Sequence, residues 1–326
     1  MKLDSNFKPA WWLRNCHLQT MAGKLLRKNL HLDTITETVE TPDGDFVELA
    51  WTEDPAHSAQ KPIVFVLHGL EGSIDSHYAK GMMAAIKQRG WIAVLMHFRG
   101  CSGKPNRHGP SYHSGDTYDV HYCVHYLQQR FANRQLAILG FSLGGNVLAN
   151  YLAQDQHTPF QASAIICAPL HLHSCSTRIS QGFSKVYQKY LVDMLKASTL
   201  TKIELGLINH IDKEALRNIR LLADFDESVT APIHGFDSAI DYYEKVSGLY
   251  QLAQIRTPTL VLHALDDPFL CHQFIDKLPE SRYLTYEISK RGGHVGFIGG
   301  HNPLKPSYYI EQRVLDYFEQ TWPQAL

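Results

Sequence analysis

From Pro62 onward, short apolar runs alternate with longer segments of helical period. "PIVFVL", "WIAVLMHF", "QLAILG" and "ASAIICAP" are nearly continuous in Val, Ile, Leu and Ala, the pattern of strands buried on both faces. "HYAKGMMAAIKQRG", "DTYDVHYCVHYLQQRF" and "GNVLANYLAQ" lie between them and carry the spacing of amphipathic helices. Strands alternating with helices predict an α/β fold with a mostly parallel, doubly wound sheet. Ahead of this block, "TITETVE" and "FVELAWT" flank the turn-forming "TPDG" and predict an N-terminal β-hairpin. Behind it, "PTLVLHALDDPF", "YLTYEIS" and the amphipathic "YYIEQRVLDYFEQTW" resume the alternation. Roughly residues 170–255, with "FSKVYQKYLVDMLKA" and few strand signals, read as a helical insertion in a single domain spanning 1–326. No internal repeat argues for a solenoid.

Charge and cysteine usage narrow the class. Lys and Arg total 31 against 32 Asp and Glu, a net charge of -1, so a nucleic-acid partner is not expected. The six cysteines form no CxxC pair, which suggests reduced thiols rather than a zinc ribbon or a disulfide framework. Asp4, Lys8 and Arg14 interrupt the apolar core a signal peptide would need, and no run approaches a membrane span. A cytoplasmic location is the expectation.

One polar residue stands out within the apolar pattern. In "LAILGFSLGGNVLANYLA", Ser142 sits between Gly140 and Gly144, where a predicted strand passes into a predicted helix. A serine on such a turn needs small neighbours, and its hydroxyl projects at the helix N-terminus: a nucleophile elbow. A serine hydroxyl becomes a useful nucleophile when a base accepts its proton and a carboxylate orients that base. On this architecture the order is Ser, acid, His, each after a later strand. "LDDPF" offers Asp266 and Asp267, and "KRGGHVGF" offers His294 among glycines. The backbone N–H of Leu143 is the expected first oxyanion donor, and that of Leu70, after His68 and Gly69 in "LHGLEGS", the expected second.

With these residues assembled, the chain resembles the α/β-hydrolase superfamily over nearly its whole length. Through "FKPAWWLRNCHLQT", "LHGLEGS", "HFRGCSG", "GFSLGGN", "LDDPF" and "GGHVGF" it is similar to the YheT-like branch, AB hydrolase family 4. That resemblance implies an α/β-hydrolase fold with 170–255 as a helical cap. It also implies cleavage of small-molecule carboxylic esters through an acyl-enzyme on Ser142, Asp267 and His294, with no cofactor. The acid is placed at Asp267 by the family spacing of a small residue, two positions and the carboxylate, with Asp266 in reserve. Acyl transfer or thioester hydrolysis uses the same triad, and a non-catalytic binding module can share the fold. Some eukaryotic relatives act on phospholipids and carry an anchoring segment at the N-terminus; none is read in this sequence, which shifts the expectation toward soluble acyl esters.

Other groupings carry less chemistry. His121 and His125 lie four apart with Cys123 between them but lack the intervening Glu of a metal motif, and "HLHSC", with His171, His173 and Cys175, alternates like a ligand set but reads as a His-rich loop lining the pocket mouth. Arg99, Lys104 and Arg107 read as a solvated basic face rather than an anion site. Cys101 reads as a structural thiol. Phe183, Tyr187 and Tyr190, at helical spacing, are expected chiefly to pack inside the insertion. For His17, Leu18, Gln19 and Thr20 the expectation is packing of an N-terminal arm.

Overall fold

In the computed structural model, which describes residues 1–58 and 60–322, the apolar runs form the centre of one sheet. Strand β1 is Lys2–Asp4, α1 is Cys16–Leu26, β2 is Ile35–Glu40, β3 is Phe46–Trp51 and β4 is Ile63–Leu67. Then come α2 (His77–Gln88), β5 (Ile92–His97), α3 (Tyr118–Arg130), β6 (Leu136–Phe141), α4 (Leu143–Gln154) and β7 (Ala162–Ile166). Helices α5 (Leu172–Ile179), α6 (Ser184–Glu204), α7 (Lys213–Asn218), α8 (Leu222–Phe225), α9 (Ala231–His234) and α10 (Ala239–Val246) follow without an intervening strand. The chain re-enters the sheet as β8 (Thr259–Ala264) and β9 (Leu284–Ser289) and closes with α11 (Tyr309–Thr321).

Among the described residues the main sheet has nine strands in the order β1-β9-β8-β7-β6-β4-β5-β3-β2. Pairing is parallel from β1 to β5 and antiparallel where β3 and β2 add the hairpin. Burial on both faces explains the unbroken apolar runs. In β4, Ile63, Phe65 and Leu67 pack with Val124 and Leu127 of α3 and Val147 and Leu148 of α4. Val64 and Val66 point the other way, toward Met82 and Met83 of α2 and Val314 and Phe318 of α11. Removing each such side chain from water contributes about 1.5–3 kcal/mol, so a polar residue in either parity would be costly.

The N-terminal arm differs from its expected plain packing role. Its first residues add an edge strand, with Lys2, Leu3 and Asp4 paired to Tyr286, Glu287 and Ile288. The following α1 is capped by Asn15, whose side chain accepts hydrogen bonds from the His17 and Leu18 N–H groups. Arg27 near its end pairs with buried Glu311 of α11 at 2.5 Å.

Candidate active site

Ser142, Asp267 and His294, the three residues expected from the strand ends, converge at the carboxyl edge of the sheet. Ser142 joins β6 to α4 with φ +50°, a conformation that costs energy for an L-residue and is held by the surrounding structure. Its N–H donates to Ile166 O at 2.8 Å. Two glycines make the turn possible. A Cβ on Gly140 would lie 2.3 Å from the Gly144 carbonyl oxygen, and one on Gly144 would lie 2.3 Å from the His68 carbonyl oxygen. His294 Nε2 is 3.0 Å from Ser142 Oγ, and His294 Nδ1 is 2.8 Å from Asp267 Oδ2. The other Asp267 oxygen accepts the Phe269 N–H. Asp266 instead accepts the Gly293 N–H at 2.9 Å, so the adjacent carboxylates bind opposite sides of one junction: Asp267 the imidazole, Asp266 the backbone just before it.

The residues expected to supply oxyanion donors, Leu70 and Leu143, both line the cavity that contains Ser142. Leu143 opens α4, where the first N–H groups have no intrahelical acceptor. Around Leu70 the neighbouring donors are occupied: Gly69 N–H by Tyr78 Oη at 2.9 Å and Glu71 N–H by Tyr112 Oη at 2.7 Å. His68, which the sequence reading left without a role, sets the peptide between them. Its Nε2 accepts the Phe98 N–H, so Nδ1 carries the proton and donates to Gly69 O at 2.7 Å. Because the peptide is planar with C=O and N–H opposed, holding Gly69 O also aims the Leu70 N–H. Burial pushes the His68 pKa down to about 3, which keeps the ring neutral and the tautomer constant.

The His17–Thr20 segment does more than pack. Thr20 Oγ1 accepts the backbone N–H of His294 at 2.9 Å. Fully buried Gln19 donates through Nε2 to Leu13 O and Ile298 O and accepts the Ile298 N–H, clamping the loop that follows His294. His17 Nδ1 meets Tyr187 Oη of α6 at 3.1 Å. Tyr187 in turn stacks on Phe269 with ring centres 4.8 Å apart, and Phe269 stacks on His294 at 4.1 Å. Of the three aromatic residues expected inside the insertion, only Tyr187 is buried; Phe183 and Tyr190 are exposed. No periodicity could have signalled the contacts of Thr20 with His294, Gln19 with Ile298 and His17 with Tyr187, because they join residues 274, 279 and 170 positions apart.

The remaining groupings separate. His121 pairs with Gln154 and His125 with Gln129 on an exposed face, while Cys123 is buried. His171 contacts Ser174 and Tyr250 and His173 faces Tyr243, so neither histidine lines the cavity that contains Ser142, whereas buried Cys175 does. Arg99 departs from the expected solvated face: it is buried and bound to Asp119, Asp43 and Asp45. Lys104 and Arg107 stay exposed and pair with Glu48 and Glu40. Cys101 lies beside Tyr112 and Glu71, and burial raises its thiol pKa, which opposes thiolate formation.

Above Ser142 and His294 lies a cavity of about 960 Å³. One wall comes from Leu172, Tyr187, Met194 and Tyr242 of the inserted helices, the other from the Leu70 loop and α1. Asn146 of α4 ties this roof to the sheet by donating to Ser114 O and Val246 O and accepting the Gly248 N–H.

A nucleophile elbow on a doubly wound sheet, with acid and histidine after later strands, is the arrangement of α/β hydrolases. The sequence model of the alpha/beta hydrolase fold matches residues 62–300, and the chain belongs to that family. It is 45% identical over 319 residues, 96% of this chain and 93% of the relative, to the Escherichia coli (strain K12) protein named "Putative esterase YheT". It is 30% identical over 246 residues to a Saccharomyces cerevisiae monoacylglycerol lipase, covering 73% of this chain and 55% of the lipase. Among solved structures, the Pyrococcus furiosus esterase Pf2001 aligns with a TM-score of 0.56 at 14% identity, covering 90% of this chain and 95% of the esterase; it shares the fold. Among the described residues, no helix is long and apolar enough to cross a membrane.

Proposed function

We propose that the chain is a serine carboxylic-ester hydrolase working through an acyl-enzyme. The observation that carries this reading is the continuous relay Ser142 Oγ, His294 Nε2, His294 Nδ1, Asp267 Oδ2, with links of 3.0 and 2.8 Å. With the carboxylate facing Nδ1, the proton sits there and Nε2 is free to accept the Ser142 proton as Oγ attacks the ester carbonyl. The oxyanion is met by the Leu143 and Leu70 N–H groups. His294 then gives its proton to the leaving alkoxide, and in the second half it deprotonates the water that releases the acid. The similarity to YheT supports ester substrates, and the inserted helices, roughly 170–255, act as the cap whose apolar side chains receive the acyl group.

A fluorophosphonate probe tests the nucleophile directly. Labelling that requires Ser142, with turnover of a series of p-nitrophenyl esters, is the expected result; folded protein that neither labels nor turns over any ester overturns the reading.

Thr20 enters as a positioning residue. Thr20→Val removes the acceptor of the His294 N–H, and a loss of about tenfold in kcat is expected from a lost buried hydrogen bond of about 1–3 kcal/mol. KM should change little, and Thr20→Ser, which keeps the oxygen, should restore the rate. Equal rates for the Val and Ser variants would show that this contact does not hold the imidazole.

A further inference from the structure

Helix α1 is turned inside out. Its polar residues Gln19, Thr20 and Arg27 face the protein, where they hold the His294 loop and Glu311. Its apolar residues face outward: Leu18 is 47% exposed, Met21 40% and Leu25 76%. The first turns of α6 repeat the pattern, with Phe183 51% exposed, Val186 54% and Tyr190 56%. Both triplets have spacing i, i+3, i+7, which places each on one helical stripe. The stripes run side by side in register. His17 meets the Phe183 ring at 4.6 Å, and seven residues further along Lys24 Nζ lies 5.7 Å from the centre of the Tyr190 ring. Two helices wide and two turns long, about 10 Å along the axis, the two exposed apolar stripes flank a seam occupied by His17 and Lys24, and apolar side chains grouped in this way mark an interaction site.

Its position and charge identify what it meets. Met21 and Leu25 on one helix, and Val186 and Tyr190 on the other, belong at once to this patch and to the rim of the cavity above Ser142. Residues 5–32 contain Lys8, Arg14, Lys24, Arg27 and Lys28 and no carboxylate, in a chain whose net charge is -1. Of these, Arg27 is neutralised by Glu311. On α6, Lys185 and Lys189 flank the stripe, the latter paired with Asp193. Across the cavity, Asp75 is paired with Lys80 and Glu71 with Ser198 and Tyr112. An apolar face rimmed by lysines suits an interfacial helix lying among anionic headgroups. A second copy of this chain suits it less, because a two-fold contact would bring the same basic rims together.

We propose that the α1–α6 face docks on the surface of an anionic lipid bilayer, with the cavity mouth against the lipid. An ester dissolved in the leaflet then reaches Ser142 without crossing water, whereas a water-soluble ester enters whether or not the protein is docked. The docking rests on this surface and not on the hydrolytic reading, and the two are tested separately.

Binding is measured with Ser142→Ala protein, so that hydrolysis cannot alter the vesicles. It should sediment with phosphatidylcholine vesicles containing roughly one third phosphatidylglycerol, bind pure phosphatidylcholine far less, and be released by salt at about 0.5 M. Adding Leu18→Glu with Phe183→Glu should weaken binding by about tenfold or more, and Lys185→Glu with Lys189→Glu should remove the preference for anionic lipid. In the protein with Ser142 intact, both pairs should leave p-nitrophenyl butyrate turnover in solution unchanged and lower turnover of a long-chain ester presented in the anionic vesicles. Three results overturn the docking: no vesicle binding by the starting protein, both pairs binding as tightly as it does, or a dimer that Leu18→Glu with Phe183→Glu separates. Absence of ester turnover in every protein would overturn the hydrolytic reading alone.

Discussion

Asp267→Asn is expected to lower kcat by about 10⁴-fold, while Asp266→Asn lowers it only a fewfold. The two carboxylates are neighbours in sequence but face different groups. Asp267 lies 2.8 Å from His294 Nδ1, and an amide there can turn its NH₂ toward the ring. That favours the tautomer with the proton on Nε2, which then cannot accept a proton from Ser142. Asp266 serves as acceptor for the Gly293 N–H, and the carbonyl oxygen of asparagine can replace it. Burial disfavours the charged form of Asp266 and raises its pKa, and the neutral amide of asparagine avoids that penalty. Steady-state kinetics on both variants, with thermal unfolding to establish that each is folded, decide the matter. The reverse ranking would make Asp266 the orienting acid.

Ser142→Ala should abolish fluorophosphonate labelling and reduce ester turnover by roughly 10³-fold or more, with the fold unchanged. Alanine keeps the Cβ that the turn already accommodates at φ +50°, and the Ser142 N–H bond to Ile166 O does not involve the side chain. An unaltered circular dichroism spectrum together with lost turnover is the expected pair of results. Near-normal turnover by the purified variant would remove Ser142 as the nucleophile.

The sheet and the meeting of Ser142, His294 and Asp267 were legible because each leaves a local mark. Strands such as Ile63–Leu67 are apolar in both parities since both faces are covered, and Ser142 interrupts such a run between glycines that sterics demand. Leu70 and Leu143 were expected as oxyanion donors from their places beside these marks, and both line the cavity that contains Ser142. The contacts that seat the histidine left no such trace. Lys2–Asp4 is three residues long and two of them are charged, so no periodicity announces a strand; its partner lies more than 280 positions away. Thr20 and His294 are joined by one hydrogen bond across 274 positions, a fact about the folded chain that no window of sequence contains. Arg99 was misread for a related reason. Its neighbours in sequence are basic, but Asp43, Asp45 and Asp119, which surround it, arrive from the β2–β3 turn and α3.

The clamp on the histidine loop bears on where this protein can be cut. The family match begins at residue 62, and a boundary drawn there would retain Ser142, Asp267 and His294. It would discard the Thr20 oxygen that holds the His294 amide, the Gln19 amide that clamps Ile298, and one rim of the cavity. It would also strip β9 of its outer neighbour and Glu311 of its buried counter-charge. Removing one partner of such a buried pair costs about 3–5 kcal/mol, a sizeable part of a domain's whole stability of about 5–15 kcal/mol. A shortened version that keeps these contacts therefore has to retain the chain from β1 onward, well ahead of residue 62.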